Sequence, residues 1–265
     1  MELLSTLSKM PAYLNDKVNY LMTTDVDFIK FNPLVGREIT IQFQNEKYCE
    51  SCGNQFQDLY RMGFCRNCFY TSPMAGESII RPELSRAHEG EEDRDLAFEK
   101  GYQLQPHIVY LANSGGLKVG VTRVAQMPTR WIDQGASEAI VFAKTSNRYE
   151  AGIIEVAMKN HVADKTAWQK MLKNEDPEID LAKEKLNLAP HLPDDLKHFI
   201  TTDEKPLHLD YPVQHYPTKV KSINLDKNPE IKAVLQGIRG QYLIFEGGGA
   251  LNVRAHTGYR VKIGF

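Results

Sequence analysis

The chain has 265 residues, 42% of them hydrophobic, and its 34 acidic and 32 basic side chains leave a formal net charge of −2. Such a length and apolar content suit a soluble globular protein of one large domain or two to three small ones. The near-neutral balance argues against a strongly basic nucleic-acid protein as a whole, and the sequence predicts neither a signal peptide across Met1 to Met22 nor a membrane span, since no run approaches about 18 apolar residues.

From the N-terminus, Lys17 to Met22 and Arg37 to Phe43 alternate as strands do, with Gly36 as a turn. They predict a β-rich module over residues 1–76 that ends in two cysteine pairs, Cys49-x-x-Cys52 and Cys65-x-x-Cys68, with no cysteine left over. Each pair can turn two thiolates toward one tetrahedral ion, and the intervening segment can fold as a hairpin that sets the second pair opposite the first, so the spacing predicts a zinc ribbon with structural Zn²⁺. Gly53 supports the tight first turn. A thioredoxin-like redox pair is the alternative, and it has no need of a second copy. Thiols kept reduced to bind zinc predict a cytoplasmic location.

Residues 77–104 form an acidic connector; within it, over residues 83–99, Glu83, Glu89, Glu91, Glu92, Asp93, Asp95 and Glu99 face only Arg86 and Arg94, and a short helix is expected from Glu91 to Lys100, closed by Gly101. Over residues 105–175, Ile108 to Ala112 and Leu117 to Thr122 read as strands joined by the hairpin turn Asn113-Ser114-Gly115-Gly116. Pro128 then opens a short helix, Thr129 to Gln134, that stops at Gly135. Ala139 to Ala143 reads as a third strand, and Asn147-x-x-Glu150 resembles a capping box opening a helix to about Val162. Asp164 is expected to cap the helix that runs from Lys165 to Lys173. Residues 176–217 follow as a helical and loop appendage, with Glu178 to Asn187 and Asp194 to Ile200 helical between Pro177, Pro190 and Pro193. Residues 218–265 return to strands, Val220 to Leu225, Gln241 to Phe245, Leu251 to Arg254 and Tyr259 to Ile263, as a small antiparallel β module in which Gly247 to Gly249 is a turn.

Charge is uneven along this order. A second acidic stretch runs from Glu175 to Glu204, whereas Lys118, Arg123 and Arg130 stand in a segment without acids. Near the C-terminus Lys219, Lys221, Lys227, Lys232, Arg239, Arg254, Arg260 and Lys262 outnumber Asp226, Glu230 and Glu246. Local basic surface is therefore expected, with Lys118, Arg123 and Arg130 as candidate nucleic-acid contacts. His208, Asp210 and His215 lie among Pro206, Pro212 and Pro217 and read as hydrogen-bonding loop residues rather than a second metal site.

The central order of strand, strand, helix, strand, helix carries Ile108-Val109-Tyr110 and Lys118-Val119-Gly120 on the two hairpin strands, then Arg130 and Glu155. It resembles the GIY-YIG nuclease superfamily. The resemblance implies a GIY-YIG-like three-stranded antiparallel sheet with flanking helices in the centre, which together with the zinc ribbon before it and the small β module after it makes an α+β protein. Tyr110 matches its first-motif tyrosine, Gly120 its glycine, Arg130 its arginine and Glu155 its metal-binding glutamate. Cutting a phosphodiester needs a base near the attacking water, a cation for the developing phosphoryl charge and a divalent ion at the leaving oxygen. Tyr110 is the candidate base, Arg130 the phosphate clamp and Glu155 the ligand of a catalytic Mg²⁺. Two departures stand out: Lys118 replaces the second-motif tyrosine, as an alternative base or a phosphate-binding charge, and Gln134 replaces a histidine.

Pro106 to Ala112, Pro128 to Ala136, Asp164-Lys165-Thr166 and Gly240 to Leu243 also resemble a bacterial family known as domain of unknown function 2797, which carries no assigned activity. The leading expectation is thus a metal-dependent phosphodiesterase acting on nucleic acid, with Tyr110, Lys118, Arg130 and Glu155 catalytic. The alternatives are a non-catalytic zinc-ribbon nucleic-acid-binding protein on the same scaffold and a protein-interaction adaptor.

Overall fold

Alternation of apolar and polar residues in Glu38–Tyr48 buries Ile39 and Ile41, and this eleven-residue strand is the spine of the molecule. A computed structural model describes residues 2–162, 167–202 and 205–265; Asp164, Lys165, Thr166 and Glu204 lie outside the described residues. The spine belongs to an eight-stranded sheet whose order is Glu2–Thr6, Tyr259–Gly264, Glu38–Tyr48, Glu230–Arg239, Tyr242–Phe245, Gly249–Asn252 and Lys221–Ile223, with Gln55–Phe56 pairing beside the spine. Ile41 sits between Ile263 on one side and Ile231 on the other, and all three are buried. The pairings are antiparallel except for Lys221–Ile223, which runs parallel to Gly249–Asn252.

Strands expected in an N-terminal module (1–76) and a separate C-terminal module (218–265) therefore share one sheet. The reason is the apolar face of the spine, which has too few partners near it in sequence and finds them more than 180 residues away in Glu230–Arg239 and Tyr259–Gly264. Two of these strands, Glu2–Thr6 and Glu230–Arg239, were not expected from the sequence; in the second, a register shift between Leu235 and Gly237 breaks the alternation that would reveal it.

The central hairpin forms as expected, His107–Asn113 with Leu117–Arg123, and Glu138–Thr145 flanks it. A short strand, Leu207–His208, adds a fourth member at the edge. His107–Asn113 is buried along its whole length because the sheet is covered on both faces. Ile108, Tyr110 and Ala112 join the core shared with the large sheet, while Val109 and Leu111 pack on Ala151, Ile154 and Met158 of the helix Arg148–Met158. Asn147 caps that helix by accepting from the Glu150 amide at 3.0 Å, and the Glu150 carboxylate accepts from Ser146 N–H at 2.9 Å. The fold is thus a mixed α+β arrangement of several sheets and helices, and among the described residues no helix is long and apolar enough to cross a membrane.

Candidate metal centre and cationic cleft

The spine strand ends at Tyr48, and the chain turns through Cys49 to Gly53, whose amide closes the turn onto the Cys49 carbonyl at 2.9 Å. Gln55–Phe56 then pairs back along the spine. A second turn, bridged by Arg61 and Phe64, delivers Cys65 to the N-terminus of the helix Arg66–Thr71 and Cys68 to its first turn. The sulfurs of Cys49, Cys52, Cys65 and Cys68 all lie within 4.8 Å of one another. Four ligands at about 2.3 Å around a tetrahedral ion would stand about 3.8 Å apart, so the set fits a metal such as zinc. The Cys65 amide donates to Cys49 Sγ at 3.2 Å, and the Cys68 amide to Cys65 Sγ at 3.4 Å. Against the opposing effect of burial, backbone N–H groups of Cys52, Cys65 and Ser51 bring the Cys49 thiol pKa down to about 6, whereas the Cys65 sulfur first, then burial and the sulfurs of Cys52 and Cys49, push that of Cys68 up to about 12, so in the metal-free set the thiolate is favoured at Cys49 and not at Cys68.

The hairpin places Tyr110 directly across from Gly120. A Cβ at Gly120 would lie 2.5 Å from the Tyr110 hydroxyl, so glycine is required there for the ring to cross the neighbouring strand. Tyr110 is fully buried, edge-on to Trp131 at 6.0 Å, and its hydroxyl donates to Gln134 Oε1 at 2.8 Å. Burial pushes its pKa up; the nearby Arg130 cation opposes this and the Glu155 carboxylate adds to it. The three residues thus share one electrostatic neighbourhood, but Tyr110 is a sealed proton donor rather than a water-facing base.

Lys118 is also buried, opposite Ala112 in the hairpin. Glu155 is 8% exposed and pairs with Lys159 at 3.5 Å. One turn before it, Gly152 lets the connector segment Pro82–Leu84 cross the helix so closely that a Cβ would fall 2.2 Å from the Glu83 amide nitrogen. Burial raises the Glu155 pKa, with Lys159 opposing and Glu83 adding to the rise.

What the tertiary structure gathers instead is a cleft of about 320 Å³ lined by Lys9, Arg123, Arg130, Arg148 and Arg254, with Asp133 the one acid that lines it among the described residues. Asp133 is already engaged: Lys9 Nζ lies 2.7 Å from Oδ2 and Gln241 donates to Oδ1 at 3.0 Å. Arg148 is clamped from below, its Nε and Nη2 donating to the Ser78 and Ile79 carbonyls at 2.9 and 2.8 Å. Arg123 and Arg148 both lie over the Tyr102 ring, at 4.6 and 5.2 Å, and the buried Arg123 Nε has no hydrogen-bond partner among the described residues. Desolvation lowers the pKa of Arg148 and of Arg254, and the Arg130 charge lowers both further. The cleft therefore holds positive charge with too little counter-charge of its own, which is the condition for taking up an anion.

His107, at the start of the hairpin, senses the same field. Its Nδ1 lies 2.7 Å from the Gln105 carbonyl, which can only accept, so Nδ1 carries the proton and the buried Nε2 is left without a hydrogen-bond partner among the described residues. Burial first, then Arg148 and Arg123, bring its pKa down to about 4 against the pull of the Gln105 carbonyl.

Of the residues expected from the sequence, Arg123 and Arg130 line the cleft, and Lys118, Tyr110 and Glu155 do not. Lys9 and Arg148 escaped sequence reasoning altogether, and Arg254 entered it only as part of a basic stretch. A larger hollow of about 500 Å³ adjoins the cleft, sharing Lys9, Met62, Asp133 and Arg254 with it and reaching Phe64 of the cysteine module. His208, at the far edge of the central sheet, meets Glu138 at 3.2 Å.

A family model described as protein of unknown function (DUF2797) matches residues 36–261. Neither a curated protein nor a solved structure matches the chain.

Proposed function

Since the chain belongs to this family of unknown function, its role has to come from its own residues, and we propose a non-catalytic nucleic-acid-binding protein whose four cysteines hold one zinc ion. The observation that carries the reading is the cleft: among the described residues five cations face one acid, and that acid is already paired with Lys9. Arg123 and Arg130 are the contacts for phosphate oxygens, with Arg254 at the rim and Arg148 held rigid behind them by two carbonyls. Zinc supplies no chemistry in this reading; it fixes the two knuckles, and through Met62 the cysteine module forms part of the cleft wall.

Cleavage is the weaker reading. It asks Glu155 to reach a Mg²⁺ in a wet groove, yet that residue is buried on the helix that Pro82–Leu84 crosses at Gly152, and its carboxylate pairs with Lys159. Tyr110, the proposed base, has its proton committed to Gln134.

Fluorescence anisotropy of zinc-loaded protein with labelled DNA and RNA tests the proposal. Affinity is expected to fall with salt, by a log–log slope of about −0.7 to −0.9 for each phosphate neutralised, and to fall about tenfold or more in Arg123→Ala/Arg130→Ala. Glu155→Gln is expected to bind as the parent does. Salt-insensitive or absent binding would leave the adaptor reading in its place, and Mg²⁺-dependent cutting that Glu155→Gln abolishes would restore the phosphodiesterase.

A further inference from the structure

The second cysteine turn carries an aromatic face that the rest of the fold leaves open. Tyr60 and Tyr70 are 43% and 55% exposed, yet they are braced. Their hydroxyls lie 3.1 Å apart and their ring centroids 5.8 Å apart, and Phe69 stands edge-on to both at 5.1 and 5.3 Å. The brace comes from the metal module itself. The Tyr60 amide donates to the Phe64 carbonyl at 2.7 Å immediately before Cys65, and Phe69 and Tyr70 ride on the helix that Cys65 caps.

The charge around these rings is positive. The Arg61 guanidinium lies 5.5 Å from the Tyr60 ring and 5.9 Å from that of Phe69, and the exposed Arg66 begins the same helix. The nearest acid in sequence, Asp58, is held by Lys47 at 2.8 Å. Exposed rings with guanidinium groups beside them match a strand whose bases are unstacked, because every base offers a π face and every linkage a phosphate. A duplex keeps its bases stacked on one another and has no use for such a face. The patch also starts where the cleft ends: Met62, two residues after Tyr60 and therefore within about 7 Å along the backbone, lines the cleft.

We propose that the occupant of the cleft is single-stranded nucleic acid, its phosphates held by Arg123 and Arg130 and its next bases stacked on Tyr60 and Tyr70. The inference rests on the cleft being a phosphate site, and the experiment separates the two. Zinc-loaded full-length protein is titrated into a labelled single strand of about 12 nucleotides and into the matching duplex at one salt concentration. Tyr60→Ala/Tyr70→Ala is expected to weaken the single strand about tenfold and to leave the duplex within about twofold; Tyr60→Phe/Tyr70→Phe, which keeps both rings, retains single-strand affinity.

Unchanged single-strand binding in the alanine pair, or a parent protein that prefers duplex, overturns the inference. Loss of binding to both substrates in Arg123→Ala/Arg130→Ala then keeps the cleft reading standing by itself. No effect of the arginine pair on either substrate sinks both. Metal content of one zinc per chain checks that the knuckle survives, and Tyr60→Leu/Tyr70→Leu makes the same comparison should the alanine pair lose zinc.

Discussion

Two buried residues of the central hairpin show how completely a neighbour decides what a side chain does. Gly120 exists for Tyr110: the ring fills the space where a Cβ would stand. Gly120→Ala is expected to destabilise the protein by about 1–3 kcal/mol in denaturant unfolding, since the sealed ring has nowhere to go. Removing the colliding oxygen with Tyr110→Phe relieves part of that clash, so the double variant should lose less than the two single losses added together. His107 gives a pH signature. Its folded pKa is held near 4, below the ordinary value of 6.5, so the unfolded chain takes up a proton first as pH falls. The contribution is complete above about pH 6.5 and lost on the way down to about 4, amounting to about 3 kcal/mol. Unfolding at pH 7 and pH 4.5 should show a smaller stability difference in His107→Gln than in the parent.

Among the elements, the connector is more than a tether between the cysteine module and the central sheet. Its Ser78 and Ile79 carbonyls clamp Arg148, and its Pro82–Leu84 turn lies on the helix that carries Glu155. Gly152 is the contact that permits this approach. Gly152→Ala forces a methyl against backbone that cannot swing aside, and about 2–3 kcal/mol of destabilisation is expected. Limited proteolysis should find residues 77–84 cut faster, and nucleic-acid affinity should fall as Arg148 loses its clamp. The same contact explains why Glu155, which the sequence places at the border of an apolar helix face, ends inside: the helix pattern reports the face turned to the sheet and is silent about a segment from far upstream covering the other side.

At the scale of the whole molecule, the large sheet and the loops that flank the central sheet meet around Arg239. This residue is 1% exposed, donates from Nε to the Gly135 carbonyl at 2.9 Å and from Nη1 to Asn174 at 2.8 Å, and pairs with Asp176. Arg239→Ala strands the Asp176 carboxylate with little water to replace the lost partner, and about 3–5 kcal/mol of stability should go with it in equilibrium unfolding. If the four cysteines hold zinc, its removal acts on one wall of the cleft only. With a chelator, far-UV circular dichroism is expected to persist, because the cores that hold the two sheets do not include the cysteines, while the cysteine module loosens and nucleic-acid affinity drops; a stable fold with an unaltered cleft and no bound metal would refute the zinc assignment.

Sequence alone determined what is local. The two C-x-x-C turns, the hairpin through Asn113 to Gly116, the Asn147 capping box and the Pro128 to Gly135 helix all follow from spacings of a few residues, and each forms where it was expected. Tertiary structure decided everything that depends on distant partners. It joined the chain's two ends in one sheet, buried Tyr110 fully and Glu155 largely, and drew Lys9, Arg148 and Arg254 from three remote stretches to face Arg123 and Arg130. The physical reason is that periodicity records which face of a strand or helix turns inward, whereas the burial of apolar surface across the whole chain chooses what it turns toward.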